Sequence, residues 1–260
     1  MGGYPHNVEV SIVQVQLFFL TLSRILAAII YVPVLGGRGV PNQVKIGFGL
    51  VLAMIITPTI PQPTSTEAMS AIVYGFAMAK EVLIGALAGF AAMLTFNAMQ
   101  IAGHLMGIVS GFSSANILNP ALEDNGTAMD QVFLITASLI FLVINGHHLF
   151  LLGLQRTFIL VPVNSALPNL SLSNYLTMAS QLITSGVQMA LPVVGTLLLT
   201  DITLGLLARV APQVHVFFLG IPLKIGIGLI ALALTIIMVA PNIHDMFTNI
   251  GDRTLQLLGS

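Results

Sequence analysis

Long stretches of this chain carry no formal charge, among them Val82–Leu122, Gln131–Gln155, Thr157–Thr200 and Ile225–His244. A soluble surface cannot be built that way, because about a quarter of the residues in ordinary soluble domains are charged. Here the charged fraction is 7% and the hydrophobic fraction 56%, with a mean hydropathy of +0.99. A spanning helix needs about 20 apolar residues, so the 260 residues have room for about six spans and their connectors. An outer-membrane barrel would alternate polar and apolar positions, and runs such as Leu134–Ile144 do not. Eight basic against nine acidic residues give a net charge of −1, which offers no electrostatic footprint for nucleic acid. The absence of cysteine excludes a disulfide scaffold and a thiolate metal site. Met1–Gln16 has no basic segment before its apolar part, so the first apolar run is expected to stay in the mature protein. The chain reads as an integral membrane protein, or as a subunit almost wholly buried among others.

The spacing of proline and glycine predicts six hydrophobic helices: Ile12–Val32, Val44–Ile56, Ala71–Met106, Asp130–Leu152, Tyr175–Val210 and Leu223–Val239. The fold class is all-α. Pro33 and Pro41 bracket a turn with Gly36, Gly37 and Gly39, and Pro212 and Pro222 frame a stretch that reads as re-entrant. No linker separates domains by composition, so the chain reads as one unit. Ala71–Met106 and Tyr175–Val210 would each rise about 54 Å, against a hydrocarbon core of about 30 Å. Each must break, tilt strongly or leave the bilayer, and Pro192 is a place for a kink in the second.

Arg24 lies inside the first run, Lys80 and Glu81 inside the third, and Asp201 and Arg209 near the end of the fifth. A charge at the bilayer centre costs at least about 2.5–3.5 kcal/mol, so each needs a partner or water. Lys80 and Glu81 are neighbours, and i,i+1 side chains diverge on a helix, so they are not expected to satisfy one another. Asp201 and Arg209 lie about 12 Å apart along a helix axis and cannot touch. An ion pathway and ion pairing to other helices or subunits are both open, and pairing is favoured because no helix carries an acidic ladder. Gly85-x-x-x-Gly89 and Gly103-x-x-x-Gly107-x-x-x-Gly111 let backbones approach closely, within this chain or against another subunit. Tryptophan is absent and tyrosine occurs only four times, so the usual aromatic belts at the lipid interfaces are missing. Many apolar faces are therefore expected to meet protein.

The segment from Ser110 to Gly126 joins two apolar helices yet is rich in Ser, Asn, Gly and Pro, and carries Glu123 and Asp124. Irregular backbone cannot face hydrocarbon, so this segment belongs in water, in a protein interior or along an aqueous cavity. Phe112, Ile117 and Leu118 are interleaved with its polar residues, as in a loop that packs into something. His104, and His147 beside His148, have no carboxylate at helical spacing to complete a metal site. No nucleophile elbow, zinc-helix motif or phosphate loop occurs, so no catalytic residue, metal or cofactor is expected.

One further block carries a resemblance. Leu207-Ala-Arg-Val-Ala-Pro-Gln-Val-His-Val-Phe-Phe-Leu-Gly-Ile-Pro-Leu-Lys-Ile225 resembles the A-P-Q-x-N-x-F…P-x-K-I signature of the FliR/SctT family of type III secretion export-gate subunits. Ala102–Gly107, Gly111–Gln131, Asn145–His148 and the Pro33…Gly36…Pro41 turn support it, and the flagellar branch is the more similar one. His215 stands where the family usually has Asn, and His104 where it has Gln. The resemblance implies a non-enzymatic function: a channel subunit in a helical, cone-like hetero-oligomer at the bacterial inner membrane, in the flagellar basal body. It implies FliP- and FliQ-type partner subunits, FlhB- and FlhA-type export proteins nearby, and unfolded flagellar substrates passing through the centre. By the same resemblance residues 1–170 correspond to the P-type part and 171–260 to the Q-type part. The loop holding Ser110, Gly111, Phe112, Ser113, Ser114, Asn116, Ile117, Leu118, Asn119, Pro120, Glu123 and Asp124 would be a plug. Inter-subunit contacts are expected at Lys80, Glu81, Gly85, Gly89, Gly103, Gly107, Asp201, Arg209, Pro212, Gln213 and Lys224.

Three other readings stay open. The same gate subunit could serve a virulence injectisome. A secondary transporter would use broken helices and midplane charges such as Lys80, Glu81 and Asp201, and would carry inverted repeats, of which the sequence shows none. An intramembrane enzyme built on His147 or His148 with Asp130 would need a nucleophile that cannot be named.

Overall fold

The computed structural model describes residues 11–37, 39–60, 68–111, 128–163, 165–167, 172–213, 216–250 and 253. Among them are eight α-helices and no strand: α1 Ile12–Tyr31, α2 Pro33–Gly36, α3 Asn42–Ile56, α4 Ala71–Ser110, α5 Ala128–Val143, α6 Gly146–Leu160, α7 Leu172–Val210 and α8 Val216–Thr248. A short 3-10 turn, Thr57–Thr59, follows α3. Four helices are long and apolar enough to cross a membrane (α1, α4, α7 and the Phe218–Thr248 part of α8), or five if the bent pair α5–α6 is one span. The expected six spans fall to this number because α3 is short and α5 and α6 are two halves of a broken helix.

The local chemistry explains the boundaries. Ser11 opens α1 with a capping box, its N–H donating to Gln14 Oε1 at 3.2 Å. Val32 is extended before Pro33, as a residue preceding proline must be, and α1 stops there. The helix expected over Asp130–Leu152 is instead broken by a 73° bend between α5 and α6. Asn145 adopts a left-handed backbone (φ 56°), and its carbonyl accepts from the amides of His148 and Leu149 at 2.9 and 3.2 Å, starting α6. Gly146 follows because a Cβ there would overlap the Phe141 ring. Pro222 does not frame a re-entrant stretch: it lies within α8, close to the helix start, while Pro212 sits in the turn after α7. Pro192 likewise remains inside an unbroken α7. With α4 at 40 and α7 at 39 residues and neither interrupted, both must tilt or project from the hydrocarbon.

The chain forms two compact units whose boundaries fall inside α4, at Met93/Leu94, and inside α6, at Leu149/Phe150. A boundary within a helix leaves no linker composition to read. One unit holds α1 to α3, the first part of α4 and most of α6. Its core joins Leu20, Ile25 and Ile29 of α1 to Ala53 of α3, Ile84, Ala88 and Ala91 of α4, and Leu154 and Phe158 of α6. The other holds the rest of α4, α5, α7 and α8. There Phe96, Phe141 and Phe247 pack edge-on or tilted, with ring centroids 4.8–5.3 Å apart and all three fully buried.

Candidate functional site

The unit containing α1 is organised around a fully buried charge. Arg24 has no exposed surface, a position that desolvation makes costly unless every N–H is used. Its Nε donates to Glu81 Oε2 at 2.5 Å. Nη1 reaches the Thr157 carbonyl at 3.0 Å and its hydroxyl at 3.4 Å, and Nη2 the Val161 carbonyl at 2.8 Å. The guanidinium also lies 4.2 Å over the Phe158 ring. Lys80 adds a second cation, donating to the Val163 and Ser165 carbonyls at 2.6 and 2.9 Å, with Nζ 3.2 Å from Glu81 Oε1. Both cations thus sit where the chain leaves α6, at the negative end of its dipole: the Thr157 carbonyl also accepts from the Val161 amide at 2.9 Å, while the Val161, Val163 and Ser165 carbonyls lie just past the last helical residue.

This arrangement corrects the expectation from adjacency. Lys80 and Glu81 diverge at their Cβ atoms, but both long side chains turn toward the end of α6 and meet there. The decisive partner of Glu81 is Arg24, 57 residues earlier. Chemically, one carboxylate held between two cations fixes α1, α4 and α6 to one another; it leaves no free acid or base.

The glycine pair reinforces the same junction. A Cβ on Gly85 or Gly89 would overlap the carbonyl oxygens of Arg24 and Ala28, so α4 packs directly on the α1 backbone. In the other unit Gly103 does the same to α5, where a Cβ would stand 2.8 Å from the Met129 carbonyl oxygen. Gly107 is buried on α4. Close by, His104 Nδ1 lies 3.2 Å from Asp130 Oδ2, a pair that sequence separation hid. His147 packs against the Phe141 ring, with centroids 6.5 Å apart. No group of three metal-ligating residues occurs among the described residues.

Asp201 and Arg209 do not touch; Asp201 of α7 pairs across the α7–α8 turn with Lys224 at 2.9 Å. Arg209 is exposed in the last turn of α7, where a cation suits the helix dipole. Pro212 and Gln213 are exposed in the turn that follows. Of the expected plug loop, Ser110 is buried at the end of α4, its hydroxyl donating to the Gly107 carbonyl at 3.2 Å, and Gly111 has φ 84°, which favours glycine. Phe112, Ser113, Ser114, Asn116, Ile117, Leu118, Asn119, Pro120, Glu123 and Asp124 lie outside the described residues.

Residues 15–250 match the family described as bacterial export proteins, family 1. The chain is 33% identical over 249 residues to the flagellar biosynthetic protein FliR of Bacillus subtilis (strain 168), covering 93% of this chain and 95% of that protein. The chain belongs to the FliR family of bacterial export proteins. Two more FliR proteins show the same extent of similarity: that of Escherichia coli (strain K12) at 33% over 90% of both chains, and that of Pectobacterium carotovorum at 30% over 94% and 93%. The family match, residues 15–250, begins in the first turn of α1 and runs through α8, so the buried Arg24–Glu81 junction and the α7–α8 hairpin both fall inside it.

Proposed function

We propose that this chain is a channel subunit of the flagellar type III protein export gate. With FliP- and FliQ-type subunits it would form the wall of a pore for unfolded flagellar substrates in the inner membrane of the basal body, near FlhB- and FlhA-type export proteins. Residues 110–126 would supply a plug. The observation that carries this reading is the uneven covering of its apolar helices. In their most apolar windows α4 is 56% buried and α1 44%, but α7 is only 17% buried and α8 22%. Leu199, Val210, Phe218, Ile237 and Met238 are each more than two-thirds exposed on those two helices. Such surface has to be covered by lipid or by sister proteins, and the FliR names of the relatives favour sister proteins of an export apparatus. In this reading the buried charge junction keeps the chain's own helices in register, and the uncovered hairpin presents the assembly surface.

Deleting Gly111–Asn119 tests the plug. The complex should still assemble, while the closed gate leaks small ions and solutes; unchanged permeability with intact assembly would refute the assignment.

A further inference from the structure

The first half of α7 divides its surface three ways. Successive residues are about 100° apart around a helix. On that wheel Met178, Leu182, Gly186, Met189 and Val193 share one arc and are buried. Beside them Leu172, Leu176, Ile183 and Val187 form an apolar arc, each between 38% and 71% exposed. From Ser173 to Gln188 the remaining arc holds Ser173, Thr177, Ser180, Gln181, Thr184 and Gln188, every one exposed and none charged; it turns apolar at Leu191, 56% exposed. These six cover about 100° of the circumference, and Asn174 with Ser185 widens the arc to about 140°.

Three coverings are available to this polar arc, and its chemistry separates them. Hydrocarbon suits the neighbouring apolar arc, but the exposed amides of Gln181 and Gln188 each offer two donors and an acceptor that lipid tails cannot satisfy. The Thr184 and Ser185 hydroxyls donate back to the Ser180 and Gln181 carbonyls at 2.8 and 2.9 Å, leaving their lone pairs turned to the surroundings. A neighbouring helix needs only a narrow seam of positions, with one or two polar groups to fix register. An arc of about 140° exceeds such a seam and suits water.

We propose that this face of α7 lines an aqueous compartment of the assembled apparatus and hydrogen-bonds the backbone of extended polypeptide in transit. This rests on the export-gate reading above. Every residue of an unfolded substrate carries the same peptide donor and acceptor, so hydroxyls and amides can engage any sequence. The lack of fixed charge avoids retaining acidic or basic segments.

The absence of native cysteine makes the test direct. Single substitutions Gln181→Cys, Thr184→Cys and Gln188→Cys on the polar arc, and Leu176→Cys and Ile183→Cys on the apolar arc, are made in cells assembling the complete apparatus. All five sites are exposed, so packing is kept. A membrane-impermeant maleimide should label the first three about ten-fold faster than the other two, because the reactive thiolate forms in water and not in an apolar setting. A substrate fused to a folded domain, stalled during export, should protect those three. Uniformly slow labelling, or equal labelling of both arcs, would overturn the aqueous assignment. Fast labelling that a stalled substrate leaves unchanged would overturn the polypeptide contact. Export measured after deletion of the chain reports on the gate reading separately: normal export would remove that reading whatever the labelling pattern.

Discussion

Replacing Arg24 by methionine probes the junction on which the α1-containing unit is built. The substitution keeps most of the side-chain volume but removes four hydrogen bonds from a fully buried site. Glu81 then keeps only Lys80 as an ionic partner, and the Val161 carbonyl loses its donor. Breaking one side of a buried ion pair costs about 3–5 kcal/mol, chiefly because the remaining charge is stranded. For a chain of this size that corresponds to a fall of about 6–20 °C in apparent Tm. The assay is thermal denaturation of the purified protein in mild detergent, at one scan rate because unfolding need not be reversible. The informative variant is the double substitution Arg24→Met with Glu81→Met. If stranded charge is the cause, removing the carboxylate as well should bring stability back to within about 1–2 kcal/mol of the parent. A single variant as stable as the parent, or a double variant whose loss equals the sum of the two singles within about 0.5 kcal/mol, would refute the reasoning.

Gly85→Ala should cost about 1–3 kcal/mol, since its methyl group would press on the Arg24 carbonyl, whereas Gly75→Ala, in the same helix but in open space, should gain up to about 1 kcal/mol of helix propensity; thermal denaturation in detergent compares them. Asn145→Val should lose about 1–2 kcal/mol through its left-handed backbone, and Asn145→Gly almost nothing; equal losses in the same assay would mean that φ does not set the bend. Asp201→Asn breaks a pair whose carboxylate is 43% exposed and should cost less than about 1 kcal/mol, far below Arg24→Met.

Much of the helical layout was legible because the physics is local. Pro33 ends α1, Pro58 follows α3, and the expected helices Ala71–Met106 and Tyr175–Val210 fall within four residues of the bounds of α4 and α7. The 73° bend was missed because Gln131–Gln155 carries no charge and is largely apolar, and hydropathy is blind to direction; the cue was the Asn145-Gly146 dipeptide, a turn signal set inside a hydrophobic run. That Arg24 needed a partner followed from its place in an apolar run. Which partner it found did not, since Glu81 and the α6 carbonyls reach it only through tertiary packing. The adjacency rule that separated Lys80 from Glu81 describes Cβ directions and fails for side chains long enough to curl toward a shared helix end. His104 and Asp130, 26 residues apart, were invisible for the same reason as Arg24 and Glu81.

In the proposed export gate, sister subunits complete the uncovered apolar faces of α7 and α8. Affinity purification of the tagged chain in mild detergent, with and without co-expressed FliP- and FliQ-type subunits, followed by mass measurement and imaging, reads this directly. A stoichiometric complex in which the apolar faces of α7 and α8 are buried against the added subunits is the predicted result. A chain that is a stable, monodisperse monomer and stays one when those subunits are present would contradict it.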